Sequence, residues 1–343
     1  MPASDTLKPP AVETVGLTRT FRGARARRGR PAQAEVRALA GVDTRIERGE
    51  IFGLLGPNGA GKTTFLKILT TLLSPTAGTA RVAGFDVERE PREVRRRISL
   101  VSGGETSGYG ILTVRECLWM FSQFYGVPNR VAWPRIDALI KIVDLEEQTH
   151  TRINRLSTGQ RQRMNFARGF VSDPEVIFLH EPTLGMDVNA ARALRGYVAR
   201  WVRERAGRTV LLTTHYMAEA EELCDRIAII DRGRVLACDS VPGLRRQVQG
   251  GQHVELEVRP ADGALPDLAA LAGVQAAWGA PHPERGTRTV KFRLPPDTPL
   301  VSVLRQLEQV GVRIDGVATR ETNLEDVFIA VVGRGLEDTG GPE

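Results

Sequence analysis

"GEIFGLLGPNGAGKTTFLKILTTLL", Gly49 to Leu73, decides the fold. It opens on an apolar run, Ile51–Leu55, passes through a glycine-rich stretch and ends on apolar residues at three-to-four spacing before the turn residues Ser74 and Pro75. That order predicts strand, loop and helix, with the strand over Ile51–Leu55 and the helix starting near Gly61. The loop "GPNGAGKT", Gly56–Thr63, fits G-x-x-x-x-G-K-[ST] in full, between a strand and a helix, the context in which the pattern has chemical meaning. Across Gly56, Pro57, Asn58, Gly59, Ala60 and Gly61 the glycines let backbone N–H groups turn inward, an anion nest at a helix N-terminus. Lys62 is a mobile point charge for β- and γ-phosphates, Thr63 a hydroxyl ligand for magnesium, and Thr64 a hydroxyl within reach of an α-phosphate. The motif predicts a nucleoside triphosphate with Mg2+. It does not by itself choose among GTPase, kinase, motor and transporter.

Composition sets the frame for that loop. A chain of 343 residues suggests two domains, or one large domain with an appendage, and 41% apolar residues supply a real core. No apolar run approaches the ~18 residues of a membrane span, and "MPASDTLKPP" lacks the apolar segment of a signal peptide. The expectation is a cytosolic protein whose membrane role, if any, needs a partner. Cys117, Cys224 and Cys238 are widely spaced and fit no zinc or disulfide pattern, which predicts reduced, buried thiols. The net charge of +6 mixes 47 basic with 41 acidic residues and does not call for nucleic acid. One basic run, "FRGARARRGRPAQAE", holds Arg22, Arg25, Arg27, Arg28 and Arg30. Its Gly, Ala and Pro content reads as a solvated insertion, with phospholipid or partner contact as the alternative.

Strands alternate with helices through the first two thirds of the chain. "ISLVS" (Ile98–Ser102), "EVIFLH" (Glu175–His180) and "RTVLLTT" (Arg208–Thr214) read as strands, and "VNAARALRGYVARWVRERA" as a helix. About residues 113–171 look helical, and "RIAIIDRGRVLACD" is a hairpin turning at Asp231-Arg232-Gly233. This is the pattern of an α/β core on a largely parallel sheet. Beyond a boundary placed at residue 243, "HVELEV", a helix near Leu265–Leu271, "VQAAW", "TVKFRL", a helix over Leu300–Val310 and "VRIDGVAT" give strand-helix-strand-strand-helix-strand. That is the order of a small ferredoxin-like α+β unit. The division is therefore 1–243, 244–335 with a last helix in "NLEDVFIAVVG", and a frayed tail over 336–343.

The second motif selects the class. "LSTGQRQR", Leu156–Arg163, stands just before "MNFARGFVSDPEVIFLHEPTLGMD". Leu156, Ser157, Thr158, Gly159 and Gln160 resemble the Leu-Ser-Gly-Gly-Gln signature of the ABC ATPases, with Thr158 in place of the first glycine, a change the exporter branches accept. The resemblance spans about residues 12–242. It implies a P-loop ABC core with a helical subdomain, whose signature helix aims its positive end at the γ-phosphate of an ATP held by another subunit. A head-to-tail dimer of nucleotide-binding subunits, homo- or heterodimeric, sandwiching two ATP would follow. It also implies Glu181 as the general base, His215 as the switch histidine at the γ-phosphate, and Asp187 in the loop that crosses to the partner site. Phe21 falls where the family stacks an aromatic on adenine, with core packing as the alternative reading. The C-terminal unit resembles the appendage of drug-resistance exporter ATPases of the daunorubicin type. A separate integral membrane permease, with a drug, antibiotic, lipid or polysaccharide as cargo, is implied as partner, and the cytoplasmic face of the membrane as location.

Two departures stand against the pattern. The acid that usually helps hold Mg2+ at the end of "VIFLH" is His180, and an imidazole brings no negative charge to a hard, oxygen-seeking cation. The family's glutamine after "ISLVS" falls on Gly103 or Gly104, with Glu105 as a nearby substitute. The resulting expectation is an ATPase of an ABC exporter with slowed hydrolysis. The rival is a hydrolysis-impaired regulatory cassette pairing with a competent paralogue. A soluble, non-transport ABC ATPase of repair or translation is disfavoured: the chain has no long coiled coil, no zinc modules and no second cassette. The Asn-Lys-x-Asp base reader of GTPases is also missing.

Overall fold

A computed structural model describes residues 9–22, 35–103, 110–248, 252–260, 276–281, 288–294, 298–309, 311–320 and 323–333. The chain divides into two compact units, one comprising Met1–Val241 and Val331–Glu343, the other Pro242–Ala330.

In the first unit the chain runs through β1 (Val12–Phe21), β2 (Val36–Ile46), β3 (Ile51–Leu55), α1 (Lys62–Leu69), β4 (Ala77–Val82), β5 (Phe85–Asp86), α2 (Pro91–Arg95) and β6 (Ile98–Ser102). Three helices follow, α3 (Val114–Phe124), α4 (Asn129–Ile142) and α5 (Thr158–Phe170). The chain then returns through β7 (Val176–His180), α6 (Val188–Glu204), β8 (Thr209–Thr213), α7 (Met217–Leu223), β9 (Arg226–Asp231) and β10 (Arg234–Asp239). The main sheet is six-stranded in the order β10-β9-β3-β8-β7-β6, parallel from β9 to β6. β3 and β8 are buried at every position, because a parallel sheet covered on both faces needs continuous apolar runs. β9 and β10 pair antiparallel across Arg232 and Gly233, which both take positive φ, the two-residue turn expected of that hairpin. Gly233 is required there twice over: a Cβ would also press on the Ala38 backbone.

A second, antiparallel sheet in the order β2-β1-β4-β5 was not legible in the sequence. Its strands are rich in Thr and Arg, and register shifts in β1 at Thr14/Leu17 and Leu17/Thr18 break the two-residue period that would reveal it. The helical stretch resolves into α3, α4 and α5, with a short 3-10 turn at Ile153–Arg155. Capping boxes start two of them, Thr113 with Glu116 and Ser157 with Gln160.

The second unit begins in α8 (Val241–Val248) and holds β11 (Gln252–Pro260), β12 (Ala276–Pro281), β13 (Arg288–Leu294), α9 (Leu300–Gln309), β14 (Val312–Arg320) and α10 (Leu324–Val332). Its sheet is antiparallel in the order β12-β13-β11-β14, the order a split βαβ unit produces. Val254, Leu256 and Val258 of β11 pack with Phe292 of β13 and with Val303 and Leu307 of α9. The helix expected near Leu265–Leu271, the tail over 336–343 and the arginines from Arg25 to Arg30 lie outside the described residues.

The cysteine expectation needs one correction. Cys117 and Cys224 are buried and free, but Cys238 is exposed. It lies on β10, the edge strand of the main sheet, with its sulfur 3.4 Å from an Arg226 guanidinium nitrogen.

Helix α5 crosses β6 so closely that a Cβ on Gly169 would collide with Val101. Gly169→Ala should therefore lower unfolding stability by about 1–3 kcal/mol, measured by denaturant titration. Adding Val101→Ala should recover part of the loss relative to Val101→Ala alone.

Candidate active site

The Gly56–Thr63 loop joins β3 to α1 and is held in shape by its neighbours. A Cβ on Gly56 would collide with the Ile230 carbonyl, and Gly61 has φ 108° as the N-cap of α1. The Gly233 N–H donates to the Ala60 carbonyl at 2.9 Å, so the β9–β10 hairpin braces the loop from the side. The Lys62 ammonium is buried and donates to the carbonyls of Gly56 (2.5 Å) and Pro57 (3.0 Å). Burial pulls its pKa below the usual lysine range, and the Glu181 carboxylate opposes that shift. Asn58, Gly59 and Thr63 are exposed, and Thr64 is half-buried. Phe21, at the end of β1, keeps its ring 39% exposed with the Arg19 guanidinium 4.8 Å from its centroid. Phe21 is thus not among the buried core residues, and the Arg19 guanidinium lies over its ring.

The strand ends carry the rest of the cluster. In-register parallel pairing sets Ser102, His180 and Thr213 side by side across β6, β7 and β8. The His180 ring bridges two hydroxyls, with Nε2 3.2 Å from Thr63 Oγ1 and Nδ1 2.7 Å from Thr213 Oγ1. One ring nitrogen of a neutral imidazole donates and the other accepts, so this chain of contacts has a direction. Glu181 follows with a left-handed backbone, φ 49°. Its N–H donates to the Thr213 carbonyl at 2.9 Å. Its Oε2 lies 2.7 Å from His215 Nδ1, and no donor among the described residues makes an aligned hydrogen bond to that buried oxygen. The His215 ring rests against Tyr216, centroids 4.1 Å apart. Gly103 is packed against this turn: its N–H donates to the His180 carbonyl at 2.8 Å, and a Cβ there would come within 2.6 Å of the Glu181 carbonyl oxygen. Gly104 and Glu105 lie outside the described residues.

Lys62, Thr63, His180, Glu181 and His215 thus form one cluster. Ser157, Gly159, Gln160 and Asp187 line a different cleft of about 700 Å3, with no P-loop residue in its wall. Leu156 is buried beneath it and Thr158 is exposed. Ser157 caps α5, and Asp187 caps α6 by accepting from the Ala190 N–H at 2.9 Å. That backbone bond, with the Arg163 guanidinium 3.0 Å away, holds the Asp187 carboxyl below its usual range. Arg163 also pairs with Asp144 at 2.8 Å. Thr213, Arg163 and Asp144 were not singled out in the sequence, where a threonine in an apolar strand or an arginine on a helix carries no distinguishing signal.

A phosphate-cradling loop on a parallel sheet, an acid and a histidine at its strand ends, and a second capped helix end in a separate cleft define an ATP-binding cassette. Residues 39–184 match the ABC transporter family. The chain is 38% identical over 314 residues, covering 90% of its length and 94% of the relative, to the daunorubicin resistance ATP-binding protein DrrA2 of Streptomyces coeruleorubidus. It is 35% identical over 302 residues, 87% of the chain and 93% of the relative, to the Nod factor export ATP-binding protein I of Burkholderia orbicola. A solved ATP-binding subunit of an ABC transporter superposes with a TM-score of 0.61 at 28% identity, covering 69% of this chain and 93% of that one. A dimeric ATP-binding cassette in a post-hydrolysis state with ADP and Pi shares the fold at TM-score 0.59 and 24% identity, covering 67% of this chain and 98% of that one. The chain belongs to the ABC transporter ATP-binding proteins, in the branch of the drug-resistance exporters of the daunorubicin type.

Lys62→Ala removes the buried cation of the phosphate loop. Nucleotide affinity should fall roughly ten- to hundredfold, the worth of a charge-assisted contact of about 1.5–3 kcal/mol, as read by fluorescent-nucleotide titration.

Proposed function

We propose that this chain hydrolyses ATP as one of two nucleotide-binding subunits and so drives a separate membrane permease that exports a drug, antibiotic, lipid or polysaccharide. One observation carries the reading: the chain presents two incomplete halves of a nucleotide site, one around Lys62 and Glu181, the other around Ser157 and Asp187. A head-to-tail pair of subunits completes both.

In this reading the triphosphate takes over from the Gly56 and Pro57 carbonyls as the partner of Lys62, while the loop N–H groups hold the remaining phosphate oxygens. Phe21 stacks on the base, and the partner's Ser157–Gly159 segment closes over the γ-phosphate. The Glu181 carboxylate orients the attacking water and accepts its proton; His215 keeps that carboxylate in place and faces the γ-phosphate with its other nitrogen. The donor set fits Mg2+ carried in on the triphosphate, since the exposed Thr63 hydroxyl offers one oxygen and phosphate and water oxygens supply the rest. Bound there, the ion would neutralise charge on the phosphates. His180 stands in hydrogen-bond contact with Thr63 where a negative charge would assist most, so turnover is slowed rather than abolished. The loss corresponds to about 2–4 kcal/mol if it resembles removal of one preorganised electrostatic contact. The same contact and Gly103 favour the second reading, a regulatory cassette that binds ATP without turning it over; steady-state ATPase assay of the purified protein decides between them.

For the permease, a groove of about 890 Å3 lined by Leu72, Phe121, Phe124 and Tyr125 and edged by Arg95 and Arg168 offers an apolar seat for one membrane-subunit helix. Leu72 and Phe124 are each 65% exposed. No helix among the described residues is long and apolar enough to cross a membrane, which fits attachment at the cytoplasmic face through that partner. The unit over 244–335 would tune dimer contact or regulation rather than chemistry.

Glu181→Gln should stop turnover, retain ATP affinity within a few-fold and accumulate an ATP-dependent dimer in size-exclusion chromatography; a variant that stays monomeric at saturating ATP refutes the two-subunit site. His180→Asp should raise turnover or lower the Mg2+ concentration needed for half-maximal rate, and unchanged values for both would make His180 a space-filling residue. Phe124→Glu should abolish copurification of the permease while leaving ATP binding intact.

A further inference from the structure

The segment that carries Glu181 is gripped at three successive residues from three different elements. The Glu181 carboxylate meets His215 at the β8–α7 junction. The Pro182 carbonyl accepts from Gln162 Nε2 of α5 at 3.2 Å. The Thr183 hydroxyl donates to Glu219 Oε1 of α7 at 3.1 Å. Gln162 and Glu219 are both 4% exposed, and neither belongs to the nucleotide-contacting residues assigned above.

We infer that Gln162 and Glu219 are positioning residues for ATP hydrolysis, a buried clamp that sets the Glu181 backbone and ties it to the signature helix and the histidine loop. The physical need is plain from the backbone. Glu181 holds a left-handed conformation that a side-chain-bearing residue leaves when it is not constrained, at a cost on the order of 1–3 kcal/mol. Glu219 ties the Glu181 loop to α7, the helix that follows His215, because its carboxyl accepts from the Thr183 hydroxyl. Gln162 adds a different link. It lies on the helix whose first turn is Ser157, so displacement of α5 when the partner's nucleotide binds at Ser157 is passed to the Pro182 carbonyl through one hydrogen bond. The clamp thereby makes hydrolysis in one half-site depend on occupancy of the other. A glutamine keeps the Oε1 that accepts from Thr183 and is the conservative substitute.

This inference rests on the ATPase reading, and the test separates the two. ATP turnover and Mg-ATP affinity are measured on the full chain for wild type, Gln162→Ala, Glu219→Ala, Glu219→Gln, Thr183→Val and Thr183→Ser. The alanine variants and Thr183→Val should lose about tenfold or more in kcat, with KM and affinity within about threefold, since they misplace Glu181 without touching nucleotide. Glu219→Gln and Thr183→Ser should keep most of the wild-type kcat. Gln162→Ala should in addition give a Hill coefficient for ATP below that of the wild type. On a Glu181→Gln background the clamp variants should lower the residual rate no further, whereas general destabilisation would lower it again. Thr183→Val, which only exchanges a hydroxyl for a methyl, guards against an alanine variant that fails to fold. A wild type that binds ATP without turnover overturns the ATPase reading and this inference together. A wild type with turnover whose clamp variants match it in kcat, or differ only in KM, overturns the clamp alone.

Discussion

The site depends on one constraint, the parallel, in-register pairing of β3, β8 and β7. Leu54 sits opposite Thr213, and Thr213 opposite His180, so the C-terminal ends of the three strands finish at one level. The loop after β3 presents Lys62 and Thr63, the end of β7 presents His180 and Glu181, and the turn after β8 presents His215. A register slip of one residue in β7 would turn His180 and Glu181 to opposite faces and dissolve the cluster. The slip is prevented by burial. Val176, Ile177, Phe178 and Leu179 are buried on both faces of the sheet, and any displacement exposes apolar area worth about 25 cal/mol per Å2. Packing at the centre of the molecule is thus what fixes distances at its catalytic edge.

His180 changes the electrostatics of that edge without changing its geometry. A carboxylate between two hydroxyls would accept from both; an imidazole accepts from one and donates to the other. If Nδ1–H donates to Thr213, Nε2 accepts the Thr63 proton and leaves the Thr63 oxygen with both lone pairs for a cation. The reverse tautomer spends one of those lone pairs on the ring. A cation near Thr63 would therefore favour the first arrangement. The hydrogen bond to Thr63 in either tautomer is worth about the 0.5–1.5 kcal/mol of a typical hydrogen bond, and a neutral ring supplies no countercharge.

What was legible in the sequence follows the same division between local and distant causes. The P-loop, the signature, the β9–β10 turn and the fully buried strands are each written in a few contiguous residues, because a backbone conformation or a doubly covered strand demands particular residue types locally. The antiparallel sheet was not legible, since the bulges in β1 interrupt its alternation and its outward positions are polar. Glu181, His180 and His215 were picked out by the resemblance to the family, from their order in the chain. Their partners Thr213, Gln162 and Glu219 were not, for the contact of Gln162 with Pro182 spans twenty residues and that of Glu219 with Thr183 thirty-six. Phe21 was open between stacking and core until its exposure was known, and Cys238 fell on an edge strand that composition does not mark.

His180 and Gly103, one of the two glycines on which the family's glutamine falls, meet in one backbone contact. The Gly103 N–H donates to the His180 carbonyl, and the position of a Gly103 Cβ is filled by the next carbonyl, that of Glu181. Any residue larger than glycine at 103 would push the Glu181 peptide away or force β6 to end earlier. The Glu181 peptide is the one whose left-handed turn aims the carboxylate at His215. Glycine at 103 therefore follows from how this chain turns at Glu181. Gly103 thus meets His180 and Glu181 through main-chain contacts alone, with no side chain between them.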